Sequence, residues 1–293
     1  MFTATLIAAG TLSDGEISAA TDRLAQAGCA PGASGWIERG TAADLFFALA
    51  PEAARGALEG ALPQTDVVVQ PAEGRRKAVL VADMDSTMIT VECIDELADY
   101  AGIKPQIAAV TERAMRGELD FAAALDARVA LLKGLGAEAI DRCLAERVRI
   151  MPGARELVRT MRANGAVTVL VSGGFTRFAE PVAAEIGFDR AIANVLEIDG
   201  AVLAGTVARP IVGADAKLAM LEAAVGERCV AASDTLAIGD GANDLRMIGA
   251  AGLGVAFRAK PIVAAAAAAR IDYGDLTALL YAQGYARSEW VTD

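Results

Sequence analysis

The chain has 293 residues, enough for about two domains, and 54% of them are hydrophobic, which predicts packed cores rather than disorder. The formal net charge is -11 and no block of Lys and Arg interrupts it, so a broad nucleic-acid-binding surface is not expected. The sequence contains no His, which excludes Ser-His-Asp triads and His-ligated zinc and leaves acid and base catalysis to Asp, Glu, Lys, Tyr or Cys.

The first residues of the chain form a small α/β pattern. Strand-like segments at 3–9, 34–38, 44–48 and 66–70 alternate with helical segments at 16–27 and 51–62. This order, βαββαβ, is typical of a ferredoxin-like α+β fold. A polar segment with Gly74 follows, so we expect one domain over residues 1–74 and a second over 75–293.

The second part of the chain predicts a parallel sheet. Apolar runs at 78–82, 167–171 and 235–238 have no polar alternation, as in strands that are buried on both faces. Helical segments at 154–163, 177–186, 215–225 and 261–270 separate the later runs, and Asp199-Gly200 predicts a hairpin over 197–202. We therefore expect a doubly wound, Rossmann-like α/β core. Residues 91–150 show helical periodicity without a strand, and predict an inserted helical cap.

The amino terminus has no basic segment before its short apolar run, and no apolar run reaches the ~18 residues that a membrane span needs. The four cysteines are scattered and form no Cys-x-x-Cys motif, which favours free thiols. We expect a cytoplasmic protein that does not bind membranes.

Polar residues follow each of the three predicted buried strands. They are Asp83, Asp85 and Thr87 after the first, Ser172-Gly173-Gly174 after the second, and Asp240, Asn243 and Asp244 after the third. Because parallel strands end at one edge of a sheet, these groups are expected to converge there. Lys217, near the start of the helix between the last two, is a further candidate for this edge.

The residue types at this edge suit phosphoryl transfer. Asp83, Asp85 and Asp240 are hard oxygen ligands of the kind that Mg²⁺ prefers. Ser172 and Lys217 are donors for phosphate oxygens. One Asp can attack phosphorus, while a second carboxylic acid protonates the leaving alkoxide and later activates water.

In this order the motifs resemble the haloacid dehalogenase superfamily across residues 77–257. The matching residues are Asp83-x-Asp85-x-Thr87, Ser172, Lys217 and Gly239-Asp240-Gly241-x-Asn243-Asp244. The resemblance implies that Asp83 is the nucleophile and a metal ligand, and that Asp85 is the general acid and base with its backbone carbonyl on the metal. It makes Asp240 the third protein ligand of Mg²⁺, and Ser172 and Lys217 the phosphate-binding pair that Asp244 helps to orient. Because members without the second Asp tend to be ATPases or dehalogenases, Asp85 favours a phosphatase.

Within that superfamily, residues 77–283 are similar to the phosphoserine phosphatases. The similarity includes Glu92, Met115-Arg116-Gly117, Asp120-Phe121 and Arg128-Val129-x-Leu131-Leu132-Lys133-Gly134. It implies that Glu92 receives a substrate ammonium group and Arg128 a carboxylate. Met115 and Phe121 would form a wall of the pocket, and Gly173 and Asn243 would also touch the substrate. The expected reaction is the Mg²⁺-dependent hydrolysis of O-phospho-L-serine to L-serine and phosphate, the last step of serine biosynthesis, through an aspartyl phosphate.

Other interpretations stay open at this point. The enzyme could be a phosphatase or phosphotransferase acting on another small phosphate ester. It could instead be a catalytically idle amino-acid sensor, although the complete set of motif residues argues against this. Residues 1–74 resemble the ACT-like domains of some phosphoserine phosphatases, and three roles are open for them: binding an amino acid, forming a homodimer, or neither.

Overall fold

The computed structural model describes residues 1–116 and 118–292, apart from the side chain of Met115. Its strands form a four-stranded sheet, a six-stranded sheet and a two-stranded hairpin. Within the described residues, no helix is long and apolar enough to cross a membrane.

The first sheet and its two helices come from the beginning of the chain. Their elements are β1 (Phe2–Ala8), α1 (Asp14–Gln26), β2 (Pro31–Glu38), β3 (Ala42–Phe47), α2 (Pro51–Leu58) and β4 (Thr65–Pro71). The order of strands and helices is the one predicted, and the sheet is antiparallel with the order β2-β3-β1-β4. The second helix ends at Leu58 and not at residue 62, because Gly60 adopts a left-handed conformation with φ of +73°.

Both faces of this sheet are covered. Ala4 and Leu6 pack with Leu24 of α1 and Leu58 of α2. On the opposite face Ile7, Ala42 and Val68 belong to the main core of the molecule. Because both sides are covered, β1 is buried from Thr3 onward, and the hydroxyl groups of Thr3 and Thr5 donate to Asp44 Oδ1. This burial also attaches the sheet firmly to the rest of the protein.

The six-stranded sheet is parallel throughout, as predicted for the core. Its strands and flanking helices are β5 (Val79–Ala82), α7 (Ala154–Ala163), β6 (Val167–Phe175), α8 (Thr176–Ile186), β7 (Arg190–Asn194), α9 (Ala214–Arg228), β10 (Thr235–Gly239), α10 (Leu245–Ala250), β11 (Leu253–Phe257), α11 (Pro261–Ala266) and β12 (Ala269–Ile271), and α12 (Ala278–Ala282) follows. The strand order is β12-β11-β10-β5-β6-β7. The chain thus adds strands on one side of β5 and later on the other, which opens a crevice at the carboxyl ends of β5 and β10.

Two predictions for this part were wrong or incomplete. The helix predicted over residues 261–270 ends at Ala266, and Arg270 lies in β12, where it pairs with Ala256. The alanine run favours a helix locally, but pairing with the buried β11 overrides that preference. Strand β7 was not predicted. The hairpin at Asp199-Gly200 is confirmed as β8 (Leu196–Asp199) and β9 (Val202–Val207).

Four helices separate β5 from α7 and form the predicted helical insertion. They are α3 (Cys93–Tyr100), α4 (Lys104–Met115), α5 (Phe121–Leu131) and α6 (Glu138–Glu146). A bridge between Ile89 and Ile150 closes the base of this insertion. A second bridge, between Gly136 and Val202, joins it to the hairpin. The insertion is therefore fixed to the core at two places and covers the crevice.

A single side chain makes a strong link between the first sheet and the core. Asp66, buried on β4, accepts hydrogen bonds from the backbone N–H groups of Asp272, Tyr273 and Gly274 at 2.8, 3.2 and 2.8 Å.

We predict that Asp66→Ala leaves these donors without a partner and lowers the free energy of unfolding by about 3 kcal/mol. Urea unfolding of the wild type and variant measures this. Asp66→Asn, which keeps one acceptor oxygen, should lose less, and equal stability of Asp66→Ala and wild type would contradict the prediction.

Candidate active site

The three groups of polar residues meet at one edge of the parallel sheet, as predicted. Asp83 follows β5, and its N–H donates to the carbonyl of Ile238 on β10 at 2.9 Å. Ser172 and Gly173 are at the end of β6, which pairs with β5 on its other side. A cavity of about 550 Å³ lies between this edge and the helical insertion.

At the floor of the site, a completely buried lysine lies between two aspartates. Lys217 Nζ is 2.6 Å from Asp83 Oδ1 and 2.6 Å from Asp244 Oδ1. Burial opposes the charge on Lys217, but the attraction of both carboxylates outweighs it and raises the pKa of the ammonium group above its usual value. Lys217 is therefore protonated, and it holds the nucleophile candidate Asp83 in one position.

The neighbouring loop leaves no space for a side chain at Gly239. A Cβ built there would lie 2.3 Å from Cγ of Asp244, so a larger residue would displace that carboxylate. The other Asp244 oxygen accepts from the N–H of Gly241 at 3.1 Å. The Gly-Asp-Gly motif thus fixes Asp244, and Asp244 in turn fixes Lys217.

The Asp85 carboxylate has a different environment. Its Oδ1 accepts from the N–H of Cys93, the first residue of α3, at 3.4 Å. Burial, with a further contribution from the negative charge of Glu92, raises the pKa of Asp85 to about 7. A carboxyl group of this kind can donate a proton to a leaving group near neutral pH.

Three carboxylates form a group that fits a hard cation. Single oxygens of Asp83, Asp240 and Asp244 lie within 4.8 Å of one another. Burial is the main cause that raises the pKa of Asp83, and burial with the charge of Glu92 raises that of Asp240 to about 6. A divalent cation among these oxygens would compensate the crowded negative charge, and oxygen donors are what Mg²⁺ binds. The Asp85 carboxylate is not in this group and accepts from the N–H of Cys93 instead. The metal contact predicted for Asp85 is through its backbone carbonyl.

The other predicted residues also line this cavity. They are Glu92, Phe121, Arg128, Gly173 and Asn243. Glu92 Oε1 accepts a hydrogen bond of 2.8 Å from Ser86 Oγ, and Ser86 has a left-handed φ of +55°. Arg128 is half-buried and donates from Nε to the carbonyl of Ala124 at 3.2 Å. An anionic and a cationic side chain therefore face the same cavity as the aspartates.

Three predicted residues do not line the cavity or cannot be placed there. Ser172 and Lys217 are completely buried, and Ser172 Oγ accepts from the N–H of Gly174 at 2.8 Å. The side chain of Met115 lies outside the described residues. Lys217 reaches the cavity through its contact with Asp83.

Sequence reasoning missed Ser86 and Cys93, which hold Glu92 and Asp85, and Lys260, which lines the cavity. One signal was available for Cys93. It follows Glu92 at the beginning of a helix, where backbone N–H groups have no partner within the helix.

The comparison with family models decides the family. Residues 80–249 match the model of the haloacid dehalogenase-like hydrolases. The chain belongs to this family. The aligned range includes β5, β6 and β10 and therefore all three groups of polar residues at the sheet edge.

Individual relatives of this hydrolase support the family assignment. It is 46% identical over 215 residues to a phosphoserine phosphatase of Mycobacterium tuberculosis, which is 73% of this chain and 52% of the relative. The chain thus spans about half the length of this curated relative. A hydrolase of the same family from Salmonella enterica serovar Typhi has a TM-score of 0.83 and 30% identity over 96% of this chain and 98% of that one. A probable phosphoserine phosphatase from Vibrio cholerae has a TM-score of 0.78 and 31% identity over 98% of this chain and 88% of that one.

We predict that Lys217→Met destabilises the metal-free hydrolase, because two buried carboxylates lose their cation. The expected loss at pH 7 is about 3–5 kcal/mol, which denaturant unfolding measures. Since the pKa of Lys217 is raised, its stabilisation is complete at pH 7 and disappears only as the pH rises through that pKa. Lys260→Met is the control, because Lys260 is exposed. An equal effect of both substitutions would contradict the prediction.

Proposed function

We propose that this haloacid dehalogenase-like hydrolase is a phosphoserine phosphatase, which converts O-phospho-L-serine and water to L-serine and phosphate. The observation that carries the proposal is that one cavity contains both residues suited to phosphate chemistry and residues suited to an amino-acid head group. Asp83 and Asp85 line it where phosphate chemistry is expected, and Glu92 and Arg128 supply an anion and a cation for an amino-acid head group. The relatives from Mycobacterium tuberculosis and Vibrio cholerae, named as phosphoserine phosphatases, support this substrate.

In the first step, Asp83 attacks phosphorus. Its Oδ1 accepts from Lys217 Nζ at 2.6 Å and from the N–H of Met84 at 2.8 Å. Because both bonds go to Oδ1, Oδ2 is the oxygen that forms the bond to phosphorus. The bond between phosphorus and the serine oxygen breaks, and Asp85 gives that oxygen its proton.

In the second step, water replaces Asp83 on phosphorus. Asp85, now ionised, takes a proton from the water as its oxygen attacks, and the acyl phosphate bond breaks to release phosphate and Asp83. The proposed donors to the phosphate oxygens are Lys217, which reaches the cavity through its contact with Asp83, and Ser172 at the end of β6, although neither side chain lines the cavity itself. The helical insertion covers part of the cavity and limits the access of bulk water to the aspartyl phosphate.

Mg²⁺ is the proposed cofactor, held by Asp83, Asp240 and the backbone carbonyl of Asp85. When bound, it supplies positive charge that offsets the charge of phosphate and of the attacking carboxylate. The residues of the chain present the oxygens for it, while Asp244 stays bonded to Lys217.

The head group of the substrate determines specificity. Arg128 binds the carboxylate with two parallel hydrogen bonds, which a guanidinium fork permits. Glu92, oriented by Ser86, binds the ammonium group. Phe121 forms an apolar wall, and Gly173 and Asn243 contact the substrate between its two ends.

We propose the following organisation for the whole chain. Residues 1–74 form a ferredoxin-like, ACT-like domain, and 75–293 form the phosphatase domain with its cap at about 91–150. The βαββαβ order and the sheet order β2-β3-β1-β4 support the first assignment. A role in serine biosynthesis in the cytoplasm is consistent with the named relatives.

Asp83→Asn tests the covalent mechanism. An amide cannot act as the nucleophile, so we predict that phosphate release from O-phospho-L-serine becomes undetectable. Thermal unfolding should still show that the variant is folded. Phosphate release and thermal unfolding are measured on the same preparations. Retention of most of the activity would exclude Asp83 as the nucleophile.

Arg128→Ala tests the carboxylate clamp. Loss of a charge-assisted hydrogen-bonding partner should lower kcat/KM for phosphoserine by about 10- to 100-fold. Cleavage of an aryl phosphate, which has no carboxylate, should change little. Arg142→Ala, on α6 of the insertion and away from the cavity lining, is the control. If Arg128→Ala reduced cleavage of both substrates equally, the clamp assignment would be wrong.

A further inference from the structure

The side chain of Phe121 rests on two glycines of the core. Phe121 is the first residue of α5, and the Asp120 side chain caps that helix by accepting from the N–H of Ala123 at 2.7 Å. A Cβ built on Gly173 would lie 3.0 Å from Cζ of Phe121. One built on Gly213 would lie 3.2 Å from Cδ1 and 3.3 Å from Cε1. These separations are shorter than the 3.5–4.0 Å optimum for two carbon atoms.

The backbone does not require glycine at position 213. Gly213 has φ of -129° and ψ of -157°, an extended conformation that any residue adopts. It is also the N-cap of α9, where Ser, Thr, Asp or Asn would stabilise the helix, and it provides no side-chain cap. The ring of Phe121 is the neighbour that explains why this position has no side chain.

The contact joins two helices that bear the proposed substrate-binding residues. On α5, Phe121 and Arg128 are seven residues apart, close to two turns, and both line the cavity. On α9, the N–H of Lys217 donates to the carbonyl of Gly213 at 3.0 Å, in the first turn. The contact between Phe121 and Gly213 therefore links the beginning of α5, the helix of Arg128, to the beginning of α9, the helix of Lys217.

We propose that Gly173 and Gly213 form a seat for Phe121 that sets the spacing between Arg128 and Lys217, and that Gly213 is thereby a specificity-determining position for substrate length. The inference rests on the proposed function, because it uses Arg128 and Lys217 as the two ends of the substrate site. A side chain at position 213 requires the ring of Phe121 to move by a few tenths of an ångström. The beginning of α5 moves with the ring, away from the core, and lengthens the site. Phosphoserine then contacts both ends less well, whereas a longer homologue contacts them better.

The experiment compares Gly213→Ala and Gly213→Ser with the wild type. Three substrates are used: O-phospho-L-serine, O-phospho-L-homoserine, which is one methylene longer, and an aryl phosphate without an amino-acid head. Both variants should lower the ratio of kcat/KM for phosphoserine over phosphohomoserine by about tenfold, the discrimination that one methylene supports. Aryl phosphate cleavage should stay close to that of the wild type.

Two controls separate the seat from other effects. Gly226→Ala is on the same helix, but a Cβ there meets no heavy atom within 4 Å, so its kinetics should be unchanged. Gly213→Ser introduces a good N-cap together with the same Cβ. If altered capping lowered the substrate ratio, Gly213→Ser would therefore keep the wild-type ratio. If the contact with the ring lowers it, both variants show the lower ratio.

The contact itself is tested in the Phe121→Ala background. Without the ring, Gly213→Ala should cause no further change in the substrate ratio, since the two residues no longer meet. Only its capping effect should remain in the melting temperature, so the combined effect of the two substitutions should differ from the sum of the single ones. Additive effects of the two substitutions, or a wild-type ratio in Gly213→Ser, would overturn the proposal. If the wild type does not prefer phosphoserine, the proposed function fails, and the melting temperatures of the four proteins still decide whether the seat exists.

Discussion

The arrangement of the site depends on one buried ion cluster, in which Lys217 lies between Asp83 and Asp244. Three charged groups that are completely or almost completely buried are stable only when their geometry is close to ideal, and both distances here are 2.6 Å. This requirement fixes the end of β5, the first turn of α9 and the loop after β10 relative to one another. It also determines which oxygen of Asp83 faces a substrate, since Oδ1 is occupied by donors. Asp83, the proposed nucleophile, is therefore held in place by the core and not by the ligand.

The helical insertion completes the site from the opposite side, and it does so with the beginnings of its helices. The first residue of α3 donates its N–H to Asp85, and the residue before it, Glu92, lines the cavity. The first residue of α5, Phe121, rests on the core glycines. Helix beginnings have free N–H groups and define where the following side chains point, so they are well suited to linking a lid to the chemistry below it. The residues proposed for substrate recognition and for catalysis are in this way joined through backbone contacts as well as through side chains.

The sequence predicted best those segments in which the local residue pattern and the burial in the fold indicate the same structure. The strands before Asp83 and Asp240 were predicted because runs without polar alternation indicate strands buried on both faces, and the residues after them share one sheet edge. Strand β7 was missed. The segment of β12 was predicted as helix because the alanine run that ends at Ala269 favours a helix locally, and pairing with β11 overrides that preference. The contact of Phe121 with Gly213 brings together residues that are distant in the chain. Such contacts depend on the angle at which the insertion packs, which no local pattern encodes.

The central claim, that the cavity is built for phosphoserine, is tested most directly by phosphate release from a panel of esters. The purified protein would be assayed with Mg²⁺ on O-phospho-L-serine, O-phospho-L-threonine, phosphoglycolate and sugar phosphates, with EDTA as the control. The account predicts metal-dependent release with the highest kcat/KM for phosphoserine, since phosphoglycolate lacks the ammonium group and sugar phosphates lack both charges of the head. A metal-dependent preference for another ester would contradict the roles of Glu92 and Arg128, and no release from any ester would contradict the catalytic role of Asp83.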